Sequence, residues 1–234
     1  MFWLARPAVL RQRYLCAALV GALVALRCPP ALGQDRSPFV GALAGFSVLS
    51  ADGQSVTSGP DAVISLYAPQ TGPALNAFGG VHLAPYFSVQ ASWMWNANDL
   101  TLTSSAFSPT GGRFYEQRRK SGQNAVVFDA LVYFRRLGSS IRPYLGTGLA
   151  LVHVSSTAVM DRAVHGLTPP GDINATRAGL RSHVGIDVKL TGDLAVRYSF
   201  SETISGNPFS AALTPPARRR LANFQNLFGV VRRF

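Results

Sequence analysis

The sequence predicts an all-β protein: an eight-stranded up-and-down antiparallel β-barrel that spans a membrane, preceded by a cleaved signal peptide. Three observations predict it. Segments of about ten residues alternate apolar and polar side chains with period two, as strands with two different faces do. Short and long connections between these segments alternate strictly along the chain. Aromatic residues gather near the segment ends, as they do at the two interfaces of a membrane barrel.

The first element is a predicted signal peptide over residues 1–33. Three arginines within 6–13 form a positive region, an apolar run follows over 14–26, and small residues within 31–33 precede a predicted cut before Gln34. The run is too short to span a bilayer as a helix. The mature barrel domain is therefore predicted to cover 34–234.

Composition and charge further limit the classes of protein to which the chain can belong. Both cysteines lie in the predicted signal peptide, so the mature chain is expected to have no disulfide. The formal charge is +11, of which the signal arginines carry four, which leaves +7. A basic excess is also typical of nucleic-acid binding, but predicted export argues against a nucleic-acid partner. No apolar run of membrane-helix length follows residue 33.

Eight segments carry the alternation expected of strands, although glycine and alanine blur it in the first, second and fifth. They cover 39–50, 75–83, 86–96, 123–135, 142–154, 177–190, 193–204 and 223–234. The tight connections are 84–85, 136–141 and 191–192, and the long ones are 51–74, 97–122, 155–176 and 205–222. Proline and glycine concentrate in the long connections. Short turns at one rim and long loops at the other are typical of an up-and-down barrel.

The polar faces of several strands carry ionisable residues in mid-strand. In a soluble barrel these side chains would face water; in a membrane barrel they would face the lumen, where opposite charges can pair. Both signs occur, which favours the lumen. The predicted lumen network is Asp129, Arg181, His183, Asp187, Lys189 and Arg197.

Aromatic residues form two predicted interface groups. Trp93, Trp95, Phe200 and Phe224 lie toward the long-loop rim. A second group lies toward the short-turn rim: Phe39, Tyr86, Phe87, Phe134, Tyr144 and Phe234. Two such girdles flanking an apolar band are expected at the two membrane interfaces.

The last strand resembles the C-terminal assembly signal of bacterial outer-membrane proteins, which end in Phe with a Gly five residues earlier. Gly229 and Phe234 match this pattern, and Arg232 departs from it. With the strand count, the chain resembles the small OmpA/OmpX-like outer-membrane barrels. The resemblance implies a bacterial outer-membrane location, insertion by the barrel assembly machinery, a monomer in contact with outer-membrane lipid, and a structural or surface-interaction role.

A His-x-Ser pair raises an enzymatic alternative. His153 and Ser155 point to the same face of a predicted strand, and small barrels of the lipid A deacylase family use such a pair with a glutamate. Here Glu202 is the acid nearest in topology. The four histidines show no metal-ligand spacing, so we expect no metal site and no cofactor.

Basic residues in two predicted outer loops suggest a partner. Arg113, Arg118, Arg119 and Lys120 lie in the second long loop, and residues 218–220 in the fourth are arginines. Lipopolysaccharide phosphates could bind there by charge-assisted hydrogen bonds. The sequence thus favours a non-enzymatic barrel, with a deacylase-like enzyme or a narrow channel for small or hydrophobic solutes as alternatives.

Overall fold

The computed structural model describes residues 37–50, 55–56, 62–108, 111–163, 168–210 and 220–234. The predicted signal peptide and residues 34–36 lie outside these ranges. The described residues form eleven strands and no helix, and so none with the length and hydropathy of a membrane span. The strands are β1 (Ser37–Ser50), β2 (Ser55–Val56), β3 (Ala62–Pro69), β4 (Gly72–Ala84), β5 (Phe87–Ala97), β6 (Leu100–Ser108), β7 (Gly111–Tyr133), β8 (Ile141–Ala163), β9 (Ile173–Lys189), β10 (Leu194–Gly206) and β11 (Arg220–Arg233).

Eight of these strands close into a ring, which confirms the predicted fold class. The ring runs β1-β4-β5-β7-β8-β9-β10-β11, and β11 pairs with β1 to close it. Every pairing in the sheet is antiparallel. Closure leaves no unpaired strand edge around the ring, so backbone groups are satisfied without water.

The alternation in the sequence becomes an inner and an outer face. Along β10 the inward residues from Ala195 to Ser205 are buried, while the residues between them are more exposed. Along β8 the outward face carries Leu145, Leu149 and Leu151, each about half exposed or more. An apolar outer face with a polar inner face is the arrangement that lipid favours.

Two of the predicted long loops are wrong, because they contain strands. Segment 97–122 holds β6 and the first half of β7, and segment 51–74 holds β2 and β3. The period-two pattern Leu100-Thr-Leu102-Thr already indicated a strand, with both leucines buried. The breaker-rich stretch after Ser108 only turns the chain between β6 and β7.

The additional strands form an outer sheet beyond the ring. It consists of β2, β3, β6, residues 111–121 of β7 and residues 157–163 of β8. β8 is therefore nine residues longer than predicted at its C-terminal end, ending at Ala163 rather than 154. The outer sheet continues the barrel wall on the long-loop side.

The parity of the blurred strands is now defined, and it corrects two of the aromatic assignments. Phe39 on β1 and Tyr144 on β8 point inward and are 1% and 2% exposed. Phe134, Tyr86 and Phe87 are exposed on the short-turn side. Gly41 and Gly146, each two residues further along on the same face, removed the contrast that would have indicated the faces of Phe39 and Tyr144.

Candidate functional site in the barrel interior

The strongest polar contact in the interior joins β9 and β10. Arg197 donates from Nε to Asp187 Oδ1 at 2.6 Å and from Nη2 to Asp187 Oδ2 at 2.8 Å. Both side chains are almost fully buried. The two residues lie directly opposite each other in the β9–β10 register, so strand pairing itself places them in bonding range. Tyr133 on β7 accepts a further bond from Arg197 at 2.8 Å.

A second buried pair spans β7 and β9. Arg181 Nη1 donates to Asp129 Oδ2 at 2.9 Å, and His183 Nε2 lies 3.8 Å from Asp129 Oδ1. Gln90 links the two pairs, because its Nε2 donates to Asp129 at 3.2 Å and its Oε1 accepts from Arg197 at 3.2 Å. The interior thus holds one connected set of ionic hydrogen bonds.

Two glycines on β8 make the second pair possible. Gly148 lies between Asp129 and Arg181 in register, and a Cβ there would overlap the Phe128 carbonyl oxygen and Asp129 Oδ1. A Cβ at Gly146 would overlap the His183 ring. Side chains from β7 and β9 therefore meet across β8 because β8 carries no side chain at these positions.

Arg142, at the short-turn end of the interior, has no such partner. It is 0% exposed, and none of its three guanidinium nitrogens has a hydrogen-bond partner among the described residues. Its Cζ lies 3.7 Å from the centre of the Tyr133 ring, so one face of the guanidinium is stacked. The edge that carries its N–H groups lacks acceptors.

The long-loop half of the interior holds an apolar cluster beside buried polar side chains, among which Asn223 donates to Asn96 and to Gln123 at 2.9 Å each. The apolar cluster has side chains from the ring, from the outer sheet and from the connection after β10: Leu49, Tyr67, Met94, Leu100, Leu102, Tyr115, Ala125, Val127, Ala150, Val152, Val154, Phe209 and Leu221. Tyr67 and Phe209 pack with ring centres 5.0 Å apart. Both sets of side chains fill the interior on the long-loop side of the ionic network.

Arg119 holds the β8–β9 connection next to this cluster through hydrogen bonds. Its guanidinium donates to the carbonyl oxygens of Ser156, Pro170 and Gly171 at 2.8–2.9 Å. Gln117 also donates to the Pro170 carbonyl, at 2.9 Å. Burial lowers the pKa of Arg119 from the usual arginine value, and the charges of nearby carboxylates oppose that shift.

This placement corrects the prediction for the second basic loop. Arg119 is inside, 1% exposed, because the segment is a strand whose alternate residues face inward. Arg118 and Lys120 face outward and are exposed. The Arg113 side chain and residues 218–219 lie outside the described part of the structure, and Arg220 begins β11 on an exposed position.

Lys189 and the four aromatics predicted at the long-loop rim lie toward opposite ends of the barrel. Lys189 is at the short-turn end of β9 and half-buried. Trp93 and Trp95 face outward on β5, at the level where the outer face of β7 changes from Val126 to Asn124. Phe200 and Phe224 also face outward and stack with ring centres 6.2 Å apart.

His153 and Ser155 lie on the outer wall of β8, just beyond its apolar stretch. His153 Nδ1 is 3.0 Å from Thr176 Oγ1 on β9, so the imidazole is bonded to threonine rather than to Ser155. Glu202 is remote: it is opposite Ser182, which is opposite Thr147, six residues before His153. At about 3.3 Å per residue, that separation is roughly 20 Å along the strand.

The C-terminal strand positions both residues of the resemblance. Gly229 is opposite Leu43 on β1, and a Cβ there would meet the Ala42 carbonyl oxygen. Phe234 is 59% exposed, and its backbone N–H donates to Pro38. The departing residue, Arg232, faces outward, lies 5.3 Å from the Phe234 ring centre and pairs with Asp193 at 3.3 Å.

Sequence reasoning missed Gln90, Tyr133 and Arg142 as members of the interior network. Gln90 and Tyr133 occupy inward positions of alternating strands, so the same period-two pattern indicated their face. Arg142 begins a strand of blurred parity. Within the described residues, no group of three histidine, cysteine or acidic side chains is arranged to hold a metal ion.

Comparison with known proteins identifies the family to which this architecture belongs. The family model described as outer membrane protein beta-barrel domain matches residues 16–234. The crystal structure of Neisserial surface protein A is similar over 86% of this chain and 100% of that one, with 15% identity and a TM-score of 0.52. The N-terminal barrel domain of Pseudomonas aeruginosa OprF covers 87% and 100%, with 13% identity and a TM-score of 0.42. No functionally curated protein matches the sequence. At these identities the structural likeness concerns the fold.

Proposed function

The chain belongs to the outer membrane protein β-barrel domain family and is therefore a protein of the bacterial outer membrane; from this premise we propose that it is a closed, non-enzymatic barrel that presents its outer sheet at the cell surface. The observation that carries the proposal is the filled interior. Apolar and polar side chains that are buried together occupy the outer half of the barrel, and the ionic network occupies the inner half. Eight strands enclose a space that side chains can fill completely.

The closed interior supports a structural role over a channel role. A solute crossing the barrel would have to displace the apolar cluster and then separate two buried ion pairs. Each of these steps is costly, because a buried charge without a partner is destabilising by several kcal/mol. The outer sheet, by contrast, extends the wall of the barrel beyond the apolar band.

We expect the purified protein to show no single-channel conductance in planar bilayers, because buried side chains fill the described interior. The measurement is current at fixed voltage after insertion of the refolded barrel, with insertion verified by resistance to protease. Reproducible current steps whose size changes in Arg181→Gln would contradict the closed barrel and favour a channel.

The partner that we propose for the outer wall is the phosphate-bearing head group of lipopolysaccharide. Lys120 and Arg118 point outward from β7, on the long-loop side of the outward residue Val126. Arg118 is only loosely held by Glu116, at 3.8 Å, and its side chain is 64% exposed. Cations at this level face the head-group layer, where phosphate oxygens accept charge-assisted hydrogen bonds.

The double variant Arg118→Gln and Lys120→Gln is expected to bind lipopolysaccharide several-fold more weakly than the wild type, with a shallower dependence on salt. Binding is measured by titrating lipopolysaccharide into the detergent-solubilised barrel. Lys189→Gln is the matched control, because it removes a cation at the opposite end of the barrel. Equal loss in the control, or no loss in the double variant, would rule out this wall as the binding surface.

The non-enzymatic part of the proposal draws support from the surroundings of His153. An activated serine needs a base within hydrogen-bond reach and an acid that orients that base. His153 is bonded to Thr176, and Glu202 is roughly 20 Å away along the sheet. We also propose that the barrel is a monomer and that the barrel assembly machinery inserts it through the strand that carries Gly229 and Phe234. The four outward aromatics at the long-loop rim are proposed to lie at the membrane interface.

A further inference from the structure

The buried charges of the barrel interior do not balance. Apart from Arg119, which bonds to carbonyl oxygens at the long-loop end, the described inward residues that are at most 3% exposed include three arginines (Arg142, Arg181, Arg197) and two aspartates (Asp129, Asp187). Asp129 pairs with Arg181, and Asp187 pairs with Arg197. Arg142 is the arginine left over, and no described acid lies within ion-pair distance of it.

Asp187 is the obvious partner for Arg142, because the two residues are directly opposite in the β8–β9 register. Both of its carboxylate oxygens are already occupied: Arg197 donates to Oδ1 and to Oδ2, and Tyr133 donates to Oδ2 at 3.5 Å. Strand pairing therefore places the Asp187 carboxylate between two guanidinium groups. The carboxylate accepts hydrogen bonds from Arg197 and none from Arg142.

The surroundings of Arg142 add positive charge. Arg233 is half-buried at the same end of the barrel, where its Nη1 donates to the Leu137 carbonyl at 2.9 Å. Lys189 ends β9 at this rim, two residues from Asp187. The short-turn end thus has a local excess of cations around a buried guanidinium that lacks acceptors.

We propose that Arg142, at the same end of the barrel as Arg233, forms a binding site for a small inorganic oxyanion at the periplasmic mouth of the barrel. A guanidinium presents its N–H groups as a planar fork that fits two oxygens of a phosphate-like ion. Tyr133 covers one face of Arg142, so the ion binds at its edge. The anion enters from the short-turn end, because Arg142 is the second residue of β8 and lies at that end. The guanidinium nitrogens are shut off from solvent in this structure, so side chains at this rim must move aside to admit the ion.

The test uses inorganic phosphate and the whole refolded barrel in detergent. Thermal unfolding is followed with rising phosphate, while sodium chloride keeps the ionic strength constant. We expect saturable stabilisation of the wild type, with the midpoint rising by about 2–4 °C near saturation. Arg142→Met is expected to abolish the rise. Arg136→Met is the matched control, because Arg136 lies exposed in the adjacent turn, and it should retain the full rise.

Two results would overturn the site. One is the absence of any phosphate-dependent rise in the wild type, and the other is an equal rise in the wild type, Arg142→Met and Arg136→Met, which would indicate a general salt effect. If Arg142→Met does not fold, Arg142→Lys provides the second measurement. It keeps the positive charge and loses the fork, so phosphate binding measured by calorimetry should weaken at least several-fold, and unchanged binding would overturn the proposal.

Discussion

Replacing Asp187 by asparagine is expected to lower the free energy of unfolding of the barrel by about 3–5 kcal/mol. Asparagine keeps the shape of the side chain, but it removes the charge that Arg197 contacts through two nitrogens. The guanidinium would stay buried, and a charge stranded in the interior accounts for most of the loss. Arg142 cannot benefit, because the same change removes the acid nearest to it.

The measurement is urea unfolding of the barrel in lipid vesicles, followed by the fluorescence of Trp93 and Trp95. Asp193→Asn is the matched control. Asp193 pairs with Arg232 at 3.3 Å, and the side chains are 56% and 62% exposed, respectively. The loss of unfolding free energy in this control should therefore stay within about 1 kcal/mol. Adding Arg197→Met to Asp187→Asn should recover most of the stability, because it removes the stranded charge. Equal losses for Asp187→Asn and Asp193→Asn would show that the interior pair is solvated.

The period-two pattern was sufficient to predict the barrel because lipid and lumen impose opposite demands on alternate residues. On β9 the pattern separated Val184 and Val188 from Arg181 and Asp187, and the structure places these two pairs on opposite faces. Where glycine occupies the inward face, as at Gly146 and Gly148 on β8, the polar side of the contrast between the two faces is lost. Arg142 and Tyr144 were therefore not recognised as inward residues.

The period-two pattern does not show which buried residues pair with each other. Asp129 and Arg181 are on strands that are not neighbours, and they meet because Gly148 intervenes without a side chain. Predicting this pair needs the register of two strand pairings at once. The sequence indicates a face, but register depends on turn geometry and on the whole closed ring.

The outer sheet was missed for a related reason. Breaker residues after Ser108 suggested one long loop, whereas they occupy only the turn of a hairpin whose strands continue the barrel wall. Leu100 and Leu102 are buried by residues of distant segments, such as Tyr67 and Phe209, which a local pattern does not reveal.

Replacing Arg119 by methionine is expected to detach the β8–β9 connection from the top of the barrel. The guanidinium donates to three backbone carbonyls and to the hydroxyl of Ser156, and hydrogen bonds from a charged donor contribute about 1.5–3 kcal/mol each. Methionine fills much of the space and donates nothing. A loss of about 3 kcal/mol corresponds to roughly a hundredfold increase in local opening.

Hydrogen exchange of the amides in 168–176, followed by mass spectrometry on the refolded barrel, measures this opening. Arg118→Met is the control, since it removes an exposed arginine one residue away that faces the other side of the strand, and its exchange should match the wild type. Gln117 still holds the Pro170 carbonyl in Arg119→Met, so adding Gln117→Ala should accelerate exchange further. Wild-type exchange in Arg119→Met would mean that the apolar cluster alone holds the connection. In that case the guanidinium would serve only to satisfy carbonyls that burial has already placed around it.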